Sequence, residues 1–145
     1  NSRARAPRGE HRAQLMLLVQ IEPDHLAREA LGRCKKKCRE RWEVDYVVQY
    51  INDGHAGLFA MVDEGKRVAH IVVERLVSFE VTLNVWIAVG SRGSGTVGDV
   101  VDLFDGLARS VGAAHWKWES PRMGWAKMLE PYITAERKVY ERKVP

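Results

Sequence analysis

The strongest constraint on the fold is a strand that runs into a glycine cluster and then into a helix. Apolar and polar residues alternate from Phe79 to Val89, which predicts a half-buried strand. The cluster Gly90–Gly95 follows, and residues 96–112 keep helical spacing after a T-x-x-D capping box, Thr96 with Asp99. Ala113–Glu119 predicts a further strand, so the unit predicts two parallel strands joined by a crossover helix.

The remaining pattern predicts antiparallel strands and helices around this unit. A tight turn at Asp63-Glu64-Gly65 joins two apolar runs into a hairpin. The predicted strands are 56–62, 66–76 and 134–144, the last at a sheet edge, with 16–21 as a strand or lead-in. The predicted helices are 23–40, 44–51 and 121–130. A single α/β domain of residues 16–145 follows, with a mixed sheet flanked by helices.

Positive charge is concentrated at the start of the chain. Residues 1–15 contain four arginines against one glutamate, a net +3 of the +4 carried by all 145 residues. The segment has almost no large apolar residues, so it is expected to be disordered alone. We expect either an extended basic arm that binds a partner or a segment added for expression. The arginines of the arm are Arg3, Arg5, Arg8 and Arg12.

Several classes of protein and site are not favoured. The longest apolar run, 15–19, is too short to cross a membrane, and no secretory signal is visible. Cys34 and Cys38 are expected to be reduced thiols, and five scattered histidines lack metal-ligand spacing, so no metal site is expected. Among them, His70 and His115 could face a cleft. The basic stretch 33–41 is either a solvated helix end or a weak nucleic-acid patch.

The glycine cluster supports more than one interpretation. Residues 93–98 match G-x-G-x-x-G between a strand and a helix, the pattern of dinucleotide-binding folds. The chain after Gly98 is too short for the remaining parallel strands, and the preceding strands are antiparallel, which argues against that fold. A purely structural turn, in which the glycines let the strand bend into the helix, also fits.

Three segments resemble the GNAT superfamily of N-acyltransferases, most of all short GNAT-like proteins of tailed phages. They are DGHAGLFAMVDEGKRVAHIVVE, EVTLNVWIAVG and WKWESPRMGWAKMLEPY. The resemblance covers about two-thirds of the chain, Val44–Val144, and implies a GNAT-like mixed sheet.

In active GNAT proteins the loop amides bind the pyrophosphate of coenzyme A, and a free helix N-terminus suits that anion. The resemblance therefore implies cofactor contacts at Arg92, Gly93, Gly95 and Gly98, with acetyl-CoA as a possible cofactor. Three departures weaken that expectation. Val97 replaces the usual final Gly or Ala of the loop, and Asp99 would repel the pyrophosphate. The tyrosine that usually acts as general acid in the following short helix is missing before Tyr132.

The sequence assigns no catalytic residue. Glu74 and Glu119 could lie near the parallel strands, where a substrate amine would need a general base. Trp116 and Trp118 share one strand face, either as packing or as a platform for a partner protein.

The main functional expectation is a non-catalytic, GNAT-like phage virion or assembly protein. It would bind other virion proteins or itself through the arm, without a cofactor, in the host cytoplasm or the virion. The alternative is an acyl-CoA-dependent N-acyltransferase. The departures from the loop pattern, the phage-type resemblance and the basic arm motivate the first expectation, and the resemblance to N-acyltransferases motivates the alternative.

Overall fold

A five-stranded mixed sheet forms the centre of the protein. The computed structural model describes residues 16–90, 97–119, 127–137 and 139–145. The strands lie in chain order; the first three pairings are antiparallel, and β4 pairs with β5 in parallel. The strands are β1 Met16–Gln20, β2 Gly57–Asp63, β3 Lys66–Val77, β4 Val81–Gly90 and β5 His115–Trp118. The predicted α/β mixed sheet is therefore confirmed.

Within the described ranges, three long helices cover the sheet: α1 His25–Cys38, α2 Val44–Asn52 and α3 Val97–Ser110. The Asp24 carboxylate begins α1 by accepting a 2.9 Å hydrogen bond from the Ala27 amide. Arg39 ends the same helix in the left-handed conformation, with φ 52°. None of the helices in the described ranges is both long and apolar enough to span a membrane.

The helices divide between the two faces of the sheet, and we name the faces after them. Helices α1 and α2 bury Leu31 and Val47 against Val72 and Ile87, which defines the α1–α2 face. Helix α3 buries Phe104 against the opposite side, the α3 face. The other core residues of the α3 face are Ile71, Val73, Leu83, Val85 and Ala108. Burial of apolar surface on both faces stabilises this three-layer arrangement.

The parallel strands pair over only part of their length. The ladder between β4 and β5 runs from Thr82 opposite His115 to Val85 opposite Trp118. Strand β4 continues beyond Val85 to Gly90 while β5 ends at Trp118. In the described part of the chain, the second half of β4 therefore has no neighbour on that side, and an opening forms there.

A β-bulge lies in β4 where the opening starts. Val72 and Val73 of β3 face Ile87 and Val85 of β4, which leaves Trp86 as the extra residue. As a result, Val85 packs on the α3 face, whereas both Trp86 and Ile87 pack on the α1–α2 face. The bulge thereby turns two successive side chains toward α1 and α2.

The predicted bounds of two strands need correction. The predicted strand 134–144 is wrong, because residues 133–137 and 139–145 lie outside any strand. Charged side chains occupy both of its faces, so pairing would bury little apolar surface. Phe79 is also outside β4 and is 96% exposed, at the turn that joins β3 to β4.

Of the helix predicted over 121–130, residues 127–129 are helical and a 3₁₀ turn follows at Glu130–Tyr132; residues 120–126 lie outside the description.

Candidate functional site

A cleft lies in the opening between β4 and β5. Residues Val85 to Ala88 of β4 form one side, and Trp116, Trp118 and Glu119 form the other. The cleft has a volume of about 90 Å³, about three times the volume that one water molecule occupies in the liquid. A short acyl group therefore fits in it.

Aromatic rings form the wall of the cleft on the α3 face. The Trp116 ring centroid lies 5.1 Å from that of Phe104 and 5.5 Å from that of Trp118. The indole Nε1 of Trp116 donates a 2.7 Å hydrogen bond to Asp105 Oδ1 on α3. This bond and the ring contacts fix the wall against the helix.

A second aromatic wall lies on the α1–α2 face. Trp86 reaches it because of the bulge, and Trp42 comes from the segment between α1 and α2. The two rings meet edge to face, with centroids 6.4 Å apart and planes at 70°. Tyr50 packs behind Trp86 at 5.7 Å, also edge to face.

The end of α1 brings polar groups to the same wall. Cys34, Cys38 and Glu40 line the cleft, and both cysteines remain thiols. The Glu40 amide donates to the Lys35 carbonyl at 3.0 Å, and Lys35 Nζ donates to the Glu40 carbonyl at 3.1 Å. Because the left-handed Arg39 ends the helix just before it, Glu40 is held by its backbone beside the cleft.

The charges at the cleft are negative. Among the described lining residues, the charged side chains are those of Glu40, which is half-buried, and Glu119, which is exposed. Neither carboxylate makes an ion pair with another residue of the described ranges. The cleft therefore combines aromatic walls with two carboxylates, and one of these, Glu40, lies at the basic end of α1, where Lys35 Nζ donates to its backbone carbonyl.

Glu74 lies outside this lining, in a hydrogen-bonded group behind it. Its carboxylate accepts 3.0 Å hydrogen bonds from the Tyr50 hydroxyl and from Asn84 Nδ2. The bond to Glu74 raises the pKa of the Tyr50 hydroxyl above its usual value, and the negative charge of Glu74 adds to the effect. Of the two glutamates considered as bases, Glu119 is therefore at the cleft and Glu74 is not.

The predicted cofactor-binding residues fall largely outside the description. Arg92, Gly93 and Gly95 belong to residues 91–96, about which the structure says nothing. Gly98 lies half-buried in the first turn of α3, next to Asp99. The pyrophosphate contacts stay a prediction, as does the capping box at Thr96.

Of the predicted partner-binding residues, the structure describes the two tryptophans and not the four arginines of the arm. Arg3, Arg5, Arg8 and Arg12 lie outside the described residues. Trp116 and Trp118 share one face as expected, and there they are half-buried against α3 as part of the cleft wall. Packing against α3 gives these rings a structural role, and a partner-binding role stays a prediction.

The histidines considered for a cleft lie elsewhere. His70 is buried on β3, where burial lowers its pKa and the nearby Arg67 charge lowers it further. His115 is exposed, with Nδ1 3.5 Å from Glu80 Oε1. Within the described ranges, no three His, Cys, Asp or Glu side chains come together as metal ligands.

The α1–α2 wall of the cleft was not predicted from the sequence. Trp42, Glu40 and the two cysteines are far from Trp86 in the sequence, and the fold alone brings them together. The bulge at Trp86 could not be read from β4, because a bulge is defined by its pairing with β3.

Comparisons with solved structures identify the fold. Ribosomal-protein-alanine N-acetyltransferase from Brucella melitensis biovar Abortus 2308 superposes with a TM-score of 0.67 at 14% identity, over 90% of this chain and 98% of that one. An aminoglycoside acetyltransferase from an uncultured soil metagenomic sample, in complex with sisomicin, gives 0.64 at 12% identity, over 91% and 97%. An aminoglycoside N-acetyltransferase in complex with CoA gives 0.59 at 12%, over 88% and 94%. Protein-family models and curated proteins give no match to the sequence.

These similarities cover almost the whole of each solved chain. The chain therefore has the GNAT-like fold of acetyltransferases, as the resemblance of its sequence indicated. At such low sequence identity the likeness shows the fold, and the activity has to be argued from the site.

Proposed function

We propose that the protein is an acyl-CoA-dependent N-acyltransferase whose reaction takes place in the opening between β4 and β5. The observation that carries the proposal is the opening itself, which begins at a β-bulge and connects both faces of the sheet. Similarity of fold to acetyltransferases, one of them in complex with CoA, supports it.

The two faces of the cleft suit two different substrates. On the α3 face, Val85 and Ala88 leave an apolar surface beside Phe104 that suits an acyl thioester. On the α1–α2 face, Glu40 and Trp42 are placed to receive an amine. The acyl carbon and the amine nitrogen then meet in the opening, where holding them together lowers the barrier.

The bulge provides polar backbone groups where the reaction needs them. Its extra residue, Trp86, stands outside the regular ladder between β3 and β4. Its backbone amide is our proposed donor to the thioester carbonyl oxygen, which gains negative charge when the amine attacks. We retain Arg92, Gly93, Gly95 and Gly98 as the proposed pyrophosphate contacts at the far end of the cofactor.

Acyl transfer forms a C–N bond and breaks the C–S bond of the thioester. The amine must lose a proton, and we assign this role to Glu119, directly or through water. The leaving thiolate must regain a proton. Within the described part of the cleft no tyrosine is present, and the thiols of Cys34 and Cys38 are the groups we propose for that step.

A thiol-release assay tests the proposal. Acetyl-CoA is incubated with the protein and a panel of primary amines, and free CoA is measured with time. We expect amine-dependent release, and a decrease of about 10² to 10⁴ in rate for Glu119→Gln. Glu136→Gln, an exposed carboxylate outside the cleft, is the matched control and should retain the wild-type rate. Absence of amine-dependent release from the wild-type protein would contradict the proposal.

One observation favours a second proposal, a non-catalytic assembly role such as that of a phage virion component. Asp99 lies in the first turn of α3, where its negative charge opposes a pyrophosphate. In this proposal the arm of residues 1–15 binds other assembly proteins or a second copy. Deletion of residues 1–15 should then abolish assembly, and the protein should release no CoA in the assay above.

A further inference from the structure

We infer that the acceptor in the proposed reaction is a primary amine at the start of an acidic polypeptide segment. The amine enters the cleft beside Glu40 and Glu119, and the carboxylates that follow it on the segment bind Arg39 and Arg41 at the edge of the cleft. The inference deepens the proposed function, because it names the class of acceptor, and it rests on that function for the role of the cleft. Binding of the acceptor needs no acyl donor and is measured without one.

Two exposed arginines stand at the edge of the cleft on the α1–α2 side. Cys38, Glu40 and Trp42 line the cleft, and Arg39 and Arg41 alternate with them along the chain. The backbone that carries the lining side chains therefore also carries two exposed guanidinium groups. We call these two arginines the basic edge.

The structure shows one partner of the basic edge, a carboxylate from the C-terminal segment of the chain itself. Arg41 Nη2 lies 3.1 Å from Glu141 Oε2 and 3.3 Å from Glu141 Oε1. Residues 139–145 form no helix or strand, and Val139 and Tyr140 beside this contact are 67% and 86% exposed. Because these apolar side chains stay in water, the contact is electrostatic in origin and needs no burial. Arg41 thus binds a carboxylate presented by an irregular peptide segment.

Inside the cleft, two carboxylates suit the amine of such a segment. A primary ammonium has three N–H donors, and Glu40 and Glu119 supply acceptors at the lining. Glu40 is half-buried, so water competes less for its charge-assisted hydrogen bonds. An amine without any acidic group would meet the same carboxylates, but it would also approach two arginines of its own sign of charge. An acceptor that carries both signs replaces this repulsion with attraction.

The closeness of the two sets of charges limits how far the acidic groups stand from the amine. Arg39 and Arg41 are the immediate neighbours of Glu40, and consecutive Cα atoms are about 3.8 Å apart. The carboxylates of the acceptor must therefore follow its amine within the first few residues.

Charge also favours a polypeptide over a nucleic acid at this edge. Proteins that bind nucleic acids through phosphates make on the order of 6 to 10 such contacts, whereas the basic edge has two arginines, with Lys36 and Lys37 of α1 nearby in the chain. The carboxylates of Glu40 and Glu119 would repel a chain of phosphates at the same place. One or two carboxylates match the basic edge, and the contact with Glu141 is of this kind.

Three hexapeptides separate the contributions of the two charges. The first is Ala-Asp-Glu-Ala-Ala-Ala with a free amine, the second has Asn and Gln in place of the two acids, and the third is the acidic peptide acetylated at its amine. Each carries an uncharged fluorophore on a C-terminal amide, and its anisotropy is followed as the full-length protein is added without acetyl-CoA. We expect the first to bind saturably and each of the others to bind at least about fivefold more weakly, which corresponds to about 1 kcal/mol. Equal binding of the first peptide and either of the others, or no binding of the first, would overturn the inference.

Variants locate the site. Arg41→Gln should weaken binding of the acidic peptide about threefold, the scale of an exposed ion pair. Arg109→Gln makes the same change of charge at an exposed position of α3, on the other side of the sheet, and should bind as the wild type does. Glu141→Gln removes the carboxylate that Arg41 already contacts and should strengthen binding of the peptide. Undiminished binding by Arg41→Gln, an equal loss in both arginine variants, or no gain in Glu141→Gln would overturn the inference.

A single-stranded hexanucleotide with the same fluorophore tests the other class of polyanion. We expect it to bind more weakly than the acidic peptide. Tighter binding of the hexanucleotide that Arg41→Gln weakens would assign the basic edge to a nucleic acid and overturn the inference.

The outcomes separate this inference from the proposed function. Binding of the acidic peptide that depends on Arg41, without any acyl transfer, would leave the binding site standing and remove the enzymatic role. Acyl transfer to amines with no preference for the acidic peptide would remove the inference and leave the enzyme.

Discussion

The carboxylate of Glu74 on β3 accepts a 3.0 Å hydrogen bond from the hydroxyl of Tyr50 on α2. The other oxygen of the same carboxylate accepts from Asn84 Nδ2 on β4, also at 3.0 Å. The group joins a helix to two neighbouring strands directly behind Trp86, whose ring lies 5.7 Å from that of Tyr50. It thereby holds the ring that forms one face of the cleft.

Removal of the Tyr50 hydroxyl should weaken this hydrogen-bonded group. We expect Tyr50→Phe to lower the free energy of unfolding by about 1 kcal/mol, because a half-buried hydrogen bond to a carboxylate is lost while the ring remains. Denaturant unfolding measures the change. Tyr46→Phe, on an exposed ring of the same helix, is the control and should leave the stability unchanged.

The same bond makes a prediction for alkaline solution. Glu74 raises the pKa of the Tyr50 hydroxyl above 10.0, so the unfolded chain loses this proton first as the pH increases. The stability provided by the bond is thus present below pH 10.0 and decreases above it. A spectrophotometric titration of the phenols should show one late-titrating group that Tyr50→Phe removes; identical titrations would contradict the assignment.

Asp24 makes two contacts that can be separated by substitution. Its carboxylate caps α1 at Ala27 and pairs with Arg67 on β3, with Oδ2 2.7 Å from Nη2. Asn at this position keeps the cap and loses the ion pair, whereas Ala loses both. We expect Asp24→Ala to reduce the free energy of unfolding by about 1 kcal/mol more than Asp24→Asn, as measured by denaturant unfolding.

The lowered pKa of the Asp24 carboxyl also predicts that the folded state loses stability in acid. The hydrogen bond from Arg67 and the one from Ala27 lower the pKa of the carboxyl from 3.8 to about 2. Between these values the unfolded chain binds the proton and the folded chain does not, so stability present above pH 3.8 decreases as the pH falls toward 2. Asp24→Asn should lack this part of the acid transition, and an unchanged transition would contradict the assignment.

The burial of His70 predicts a loss of stability that begins below pH 6.5, a higher pH than the loss expected from Asp24. The side chain is 8% exposed, and its Nε2 has no hydrogen-bond partner among the described residues. Burial lowers its pKa below 6.5, the charges of Arg67 and Arg33 lower it further, and that of Asp24 acts in the opposite direction. As the pH falls below 6.5, the unfolded chain is protonated first and the folded state loses stability.

Unfolding measured on both sides of pH 6.5 tests this prediction. His70→Leu should remove the decrease just below pH 6.5, and it removes a buried polar atom without a partner as well. His115→Gln, at an exposed histidine, should retain the decrease. A decrease of the same size in His70→Leu would show that another group is responsible.

The fold was predictable where the pattern of side chains is dictated by burial. The alternation from Phe79 to Val89 predicted β4 to within two residues, and the helical spacing after the glycine cluster predicted α3. The parallel pairing of β4 with β5 followed from the crossover between them. The segment 134–144 does not alternate, because charged residues occupy both of its faces, and it forms no strand in its described part.

The site was predictable only in part, because it depends on relationships between distant segments. Trp116, Trp118 and Glu119 could be placed near the parallel strands from their position at the end of β5. Trp42 and Glu40 reach the cleft because α1 ends in a left-handed residue and packs across β4. Neither the direction of that packing nor the bulge at Trp86 is encoded in a local pattern.

Titration calorimetry with acetyl-CoA tests the central claim, that the opening between β4 and β5 receives an acyl thioester. Ala88→Phe places a ring in the opening from the α3 face, whereas Ala135→Phe adds the same ring at an exposed position outside it. Thermal unfolding confirms that each variant is folded. We predict saturable one-to-one binding by the wild type and by Ala135→Phe, and at least about tenfold weaker binding by Ala88→Phe, about 1.4 kcal/mol. No heat from the wild type at high micromolar acetyl-CoA, or equal binding by a folded Ala88→Phe, would contradict the account.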